Sequence, residues 1–104
     1  MESFEYVRRV LEAYRATPGT CGAIRKPDRA FALQLHARGV PLAVVDNALV
    51  LACARRLTRP TDAPPLGVIR SLAYFSPVID EVLELRVDDA YFRHLRNRLA
   101  RISP

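Results

Sequence analysis

One run limits the fold of this chain more than any other: Gly39-Val40-Pro41-Leu42-Ala43-Val44-Val45-Asp46-Asn47-Ala48-Leu49-Val50-Leu51-Ala52-Cys53-Ala54-Arg55-Arg56-Leu57. From Leu42 to Ala54 only Asp46 and Asn47 interrupt the apolar residues. Apolar side chains then fall on nearly every side of a helix wheel, and a helix of that kind must be surrounded by others. It is too short and too polar at its ends for a bilayer, which needs about 20 apolar residues. The expectation is an all-α chain: a compact bundle of four to five helices around a central apolar helix at about 41–58. With 104 residues the chain forms one domain with a single core and needs no metal or disulfide.

The flanking segments follow helical periods. Ser3 is the expected N-cap of a first helix of about Phe4–Ala16, with Phe4, Val7, Leu11 and Tyr14 on one face. Glu2 and Glu5 at its start and Arg15 near its end suit the macrodipole, and Thr17-Pro18-Gly19 stops it. Thr20–Lys26 reads as a loop. Pro27 and Asp28 open a second helix whose buried stripe is Phe31, Ala32, Leu35 and His36, and Gly39 ends it. Pro60-Thr61-Asp62-Ala63-Pro64-Pro65 predicts an extended, stiff crossover. Leu66 to about Leu85 is expected to be helical, with Ile69, Leu72, Phe75, Ile79, Val82 and Leu83 inward. Within it Pro77 either kinks one helix or, with Ser76, caps and restarts another; a kink or short break is the favoured expectation. Asp88 caps a last helix of about Asp89–Ile102, in which Tyr91, Phe92, Leu95, Leu99 and Ile102 share an apolar arc opposite Arg93, Arg96, Asn97 and Arg101.

Charge raises the question of function. The net charge is +5, which brings nucleic acid or another polyanion into consideration. Lys26 is the sole lysine beside fifteen arginines, and Ala and Pro are abundant, so coding bias of a GC-rich genome also explains the arginine count. Gly39–Leu49 has the outline of a helix-turn-helix, but the base-reading positions would be Leu42, Ala43, Val44, Asp46 and Asn47, and Asp46 would be repelled by phosphate. An ordinary αα-hairpin accounts for the same residues. The stronger nucleic-acid candidates are Arg93, Arg96, Arg98 and Arg101 on the last helix, which could track a phosphate backbone. A second basic cluster, Arg25, Lys26 and Arg29, lies where a loop enters a helix N-terminus, a place suited to anions. A solvated helix face with positive charge towards its C-terminus explains the last-helix arginines equally. Asp80, Glu81 and Glu84 form an acidic patch that faces solvent or pairs with arginines of a neighbouring helix.

No Gly-rich phosphate loop or nucleophile elbow occurs, and His36 and His94 stand apart in sequence, so the expectation is a protein without catalysis. Cys21, His36, Cys53 and His94 match no compact zinc module, and neither a metal nor a cofactor is expected. Met1–Leu11 carries Glu2, Glu5, Arg8 and Arg9 and so has no signal-peptide core; the cytoplasm is the expected location and a membrane is not.

The segment Ser71-Leu72-Ala73-Tyr74-Phe75-Ser76-Pro77-Val78-Ile79 resembles the signature near the end of DnaD-type domains, the helical domains of bacterial and phage replication-initiation proteins, with Pro77 as a departure from it. An aromatic-bearing first helix, a second helix and an Ala-rich third helix ending in basic residues precede it in similar order. The resemblance implies DNA binding by the Tyr-containing helix and the basic segment after it, hence Tyr74, Arg70 and Arg86. Two functional expectations result. One is a small DNA-associated accessory protein of replication or a mobile element, binding phosphates non-specifically. The other is a helical protein-interaction module that dimerises or docks and never touches nucleic acid.

Overall fold

The apolar run forms the helix expected of it, and most of the molecule packs around it. In order the chain builds α1 (Ser3–Ala16), α2 (Lys26–Ala37), α3 (Leu42–Leu57), a 3-10 turn (Leu72–Phe75), α4 (Ser76–Leu85) and α5 (Asp89–Ile102). This computed structural model describes residues 1–85 and 89–102, and no strand occurs among them. The fold is an all-α bundle of five helices. The expected cap Asp88, Arg86 and the side chain of Ile102 lie outside the described residues.

Helices α1, α4 and α5 and the 3-10 turn pack on α3, while α2 packs on α1 and the 3-10 turn. Val45, Ala48, Leu49, Leu51, Ala52 and Cys53 of α3 are buried. The largest fully buried side chains, Tyr14, Phe75, Phe92 and Leu35, come from four other elements and belong to the same core cluster. Each such apolar side chain contributes about 1.5–3 kcal/mol when removed from water.

The inner face of α1 is rotated from the expected one. Tyr6, Val7, Val10, Leu11 and Tyr14 are buried, whereas Phe4 is 76% exposed. Phe4 stands at the border of the stripe in the first turn, and Tyr6 takes the inward place because its hydroxyl reaches the Val40 carbonyl at 2.8 Å. Ser3 is already helical and Glu2 occupies the N-cap.

Helix α2 ends as Gly39 predicts. Gly39 has φ +73°, its N–H donates to the His36 carbonyl, and the Val40 N–H reaches back to Leu35, each at 3.0 Å. This is the Schellman arrangement, with buried Val40 supplying its apolar contact.

The stretch from Pro60 to Arg70 departs furthest from expectation. The Ala63 N–H donates to the Pro60 carbonyl at 3.0 Å, so the crossover begins as a tight turn, and only the part beyond it is extended. Leu66–Arg70 is not helical. Ile69 donates its N–H to the Gly19 carbonyl at 2.8 Å and accepts from the Cys21 N–H at 2.9 Å, making an isolated parallel bridge between Thr20 and Ile69. Pro64, Pro65 and Gly67 oppose a helix here, and the α1–α2 loop offers the backbone another partner. Helical structure starts only at Leu72. The 3-10 turn then gives way to α4 at Ser76, with Pro77 in the first turn where its missing N–H costs nothing. Pro77 therefore restarts a helix rather than kinking one.

Candidate nucleic-acid interface

Arginine positions are decided by where carboxylates stand. On α1, Arg8 bonds Glu5 and Glu12 at 2.7 and 2.9 Å, and Arg9 bonds Glu5 at 2.9 Å. Both guanidinium groups hold the Glu5 carboxyl below its usual range. The acidic patch of α4 is likewise spent on neighbouring helices: Asp80 meets Arg38 at 3.2 Å, and Glu81 takes both terminal nitrogens of Arg55, one at 2.8 Å. Of the two accounts offered for that patch, pairing with arginines is the observed one for these two residues. Arg55 holds the Glu81 carboxyl below its ordinary value.

The arginines of α5 divide into two groups. Phe92 and Leu95 are buried against the bundle, so Arg93 and Arg101 point outward and are exposed. Arg96 and Arg98 stand on opposite borders of the buried face. Arg96, exposed like the others, donates to Asn47 Oδ1 at 2.5 Å and acts on the half-buried Asp46, whose carboxyl burial nonetheless pushes above its ordinary value. Arg98 lies beside Leu57 and Thr58 at the far end of α3. Of the four expected α5 contacts, Arg96 is the one hydrogen-bonded within the fold, through one guanidinium nitrogen. Arg93, Arg98 and Arg101 form no ion pair among the described residues. The same Asn47 and Asp46 positions remove the front of α3 from any base-reading role, since Asn47 is buried.

The cluster at the start of α2 is filled from within. Arg25, Lys26 and Arg29 are exposed and unpaired among the described residues, but the carboxylate of Asp28, only 2% exposed, sits at that helix start. It accepts the Arg25 N–H at 2.9 Å and the Leu72 N–H at 2.9 Å. The expected anion position is therefore already taken by the Asp28 side chain.

A different basic surface lies at the C-terminal end of α3. Arg55, Arg56 and Arg59 look in sequence like partners of the helix macrodipole, yet the fold gives them a second setting. A hollow of about 400 Å³ between α3 and α4 is lined by these three arginines with Ala52, Leu66, Tyr74 and Val78. Tyr74, carried there by the 3-10 turn, is 46% exposed. Arg56 donates to the Tyr74 hydroxyl at 3.2 Å and to the Gly67 carbonyl at 2.9 Å, and its guanidinium carbon stands 5.9 Å from the Tyr74 ring centre. Arg59 holds the Pro64 carbonyl at 2.8 Å. A second hollow, of about 360 Å³, shares Arg56, Arg59 and Leu66 with the first and is walled by Pro60, Pro64 and Pro65. Tyr91 of α5, 47% exposed, lies near enough for its hydroxyl to act weakly on Arg55. Arg70 is exposed just ahead of the turn that carries Tyr74.

Two exposed tyrosines and several arginines without carboxylate partners therefore share this end of the bundle. The grouping of Arg56 and Arg59 with Tyr74 depends on the non-helical path of Leu66–Arg70. Among the described residues no set of three His, Cys, Asp or Glu side chains could hold a metal ion, and no helix is long and apolar enough to cross a membrane. Compared with protein-family models, curated proteins and solved structures, the chain matches none.

Proposed function

We propose that this protein binds nucleic acid without catalysis of its own, as an accessory protein of replication or of a mobile element. The supporting observation is a set of arginines without carboxylate partners at the α3 end and along α5. Carboxylates pair with Arg8 and Arg9 of α1 and with Arg38 and Arg55 beside α4, whereas Arg56, Arg59, Arg93, Arg98 and Arg101 have none among the described residues, as is also true of Arg15 and of Arg25, Lys26 and Arg29 at the start of α2. Arginines without carboxylate partners on one part of a protein supply phosphate contacts that are independent of sequence. The likeness of Ser71–Ile79 to DnaD-type domains agrees with this reading.

Fluorescence anisotropy with a labelled random-sequence DNA tests it. With roughly four phosphate contacts, affinity falls by about a hundredfold as salt rises from about 50 to 200 mM. Joint substitution of Arg93→Glu, Arg98→Glu and Arg101→Glu flattens that dependence and leaves the far-UV CD spectrum intact. Binding that ignores salt, or no binding at low salt, overturns the proposal.

A protein-docking role is the second reading, favoured by the exposed Phe4. It borders a hollow of about 380 Å³ between α1 and α2, floored by Val7, Leu11 and Ile24. Phe4→Ser abolishing an association that is insensitive to salt would favour this reading over the first.

A further inference from the structure

We infer that the end of α3 accepts an unpaired polynucleotide strand, with one base stacked on Tyr74 and the strand continuing into the proline-walled hollow. This inference rests on the nucleic-acid reading and narrows it to a class of ligand. Phosphate contact alone would be served by a flat or convex arginine face such as the outer side of α5. The α3 end is built differently, because its cations alternate with apolar walls. Tyr74, Leu66 and Val78 line one hollow, proline rings line the other, and Arg56 and Arg59 stand where the two meet.

A duplex turns its phosphates outward and keeps its base faces within the stack, so its surface offers nothing to an aromatic ring or a proline wall. A single strand exposes base faces and phosphates in alternation, and proteins that hold one combine cationic grooves with aromatic platforms. Tyr74 meets the requirements of a platform. It is held in place by the Arg56 contact and by an edge-on contact with the buried Phe75, whose centre is 5.2 Å away, yet nearly half its surface is open. Arg56 uses two of the guanidinium's five donors on Tyr74 and Gly67, which leaves others for a phosphate.

The test uses the full chain with labelled oligo(dT), oligo(rU) and a mixed-sequence DNA duplex, each of about 15 nucleotides. The chain has four tyrosines and no tryptophan, so tyrosine emission reports stacking and the Tyr74→Phe variant assigns it to one ring. The expected result is tighter binding of single strands than of duplex, with tyrosine emission quenched. Tyr74→Leu, which keeps apolar bulk, weakens single-strand binding about tenfold and removes the preference over duplex. Tyr74→Phe keeps the affinity but loses the quenching, and Tyr91→Phe keeps both. The dT and rU arms decide whether the strand is DNA, RNA or either, and single-strand preference in one arm suffices. Equal affinity for duplex and single strands, or a Tyr74→Leu variant of native CD spectrum and unchanged affinity, overturns this inference while salt-dependent binding keeps the broader reading. Absence of binding to every polynucleotide overturns both.

Discussion

The Asp28 carboxylate joins two elements far apart in sequence: one oxygen accepts the backbone N–H of Leu72 at 2.9 Å, and the other accepts that of Arg25 at 2.9 Å. One buried side chain thus caps α2 and anchors the start of the 3-10 turn. Asp28→Ala leaves both donors without their partner and is expected to cost about 3 kcal/mol, because hydrogen bonds to a charged acceptor are among the stronger ones. Asp28→Asn retains an acceptor oxygen and costs about half of that. Urea unfolding followed by CD measures the difference; equal stability of wild type and Asp28→Ala would contradict the anchoring role.

Gly39 closes α2 at φ +73°, and a Cβ added there would meet only open space. The penalty of Gly39→Ala is therefore a backbone one, about 1 kcal/mol. Tyr6→Phe, which strips the buried Val40 carbonyl of its donor next door, is expected to cost a similar ~1 kcal/mol. Tyr6 bonds the carbonyl of the residue next to Gly39, so thermal melts of the double variant should depart from the sum of the singles.

Asp46 makes stability depend on pH in the direction opposite to that of the paired carboxylates. Burial raises its pKa above 3.8, with Arg96 and Arg9 opposing the rise in part. The folded state then binds more protons than the unfolded state between the ordinary value and the raised one, so Asp46 lowers stability as pH rises through that window. Glu5 and Glu81, held below 4.5 by arginines, contribute stability that is present above that value and lost as pH falls through their lowered values. Asp46→Asn should match wild type in acid and gain on it steadily as pH rises past about 4. A constant difference across pH in paired urea titrations would rule out this account.

The two thiols should react in order. Cys21 is exposed, whereas Cys53 is buried in α3 and its thiol is pushed up by desolvation. A thiol reagent near neutral pH is expected to modify one cysteine rapidly in the native protein and the second only on denaturation. Cys21→Ser should remove the rapid phase alone.

How far these features could be read from residues alone depended on the range of the forces involved. Helix α3 is legible because its apolar side chains leave it no exposed face, and α5 because Phe92, Leu95 and Leu99 share one arc, although Tyr91, expected on the same arc, is 47% exposed. The face of α1 was misjudged at Phe4, since apolar spacing cannot tell that Tyr6 has a buried carbonyl to bond. Leu66–Arg70 was read as helix because nothing near it in sequence reveals Gly19 and Cys21 as partners for Ile69. The candidate interface suffered in the same way. Tyr74 and the arginines can be picked out individually, but the bond from Arg96 to Asn47 and the hollow joining Arg56 to Tyr74 are products of tertiary packing.

The bridge between Thr20 and Ile69 has a topological consequence. Two hydrogen bonds close the chain into a ring that contains the whole of α2 and α3, with α1, α4 and α5 outside it. While the ring is shut, unfolding an enclosed helix releases less chain entropy than unfolding an outer one. In hydrogen–deuterium exchange the amides of Cys21 and Ile69, though outside any helix, should persist as long as those of α3, and α5 should exchange first.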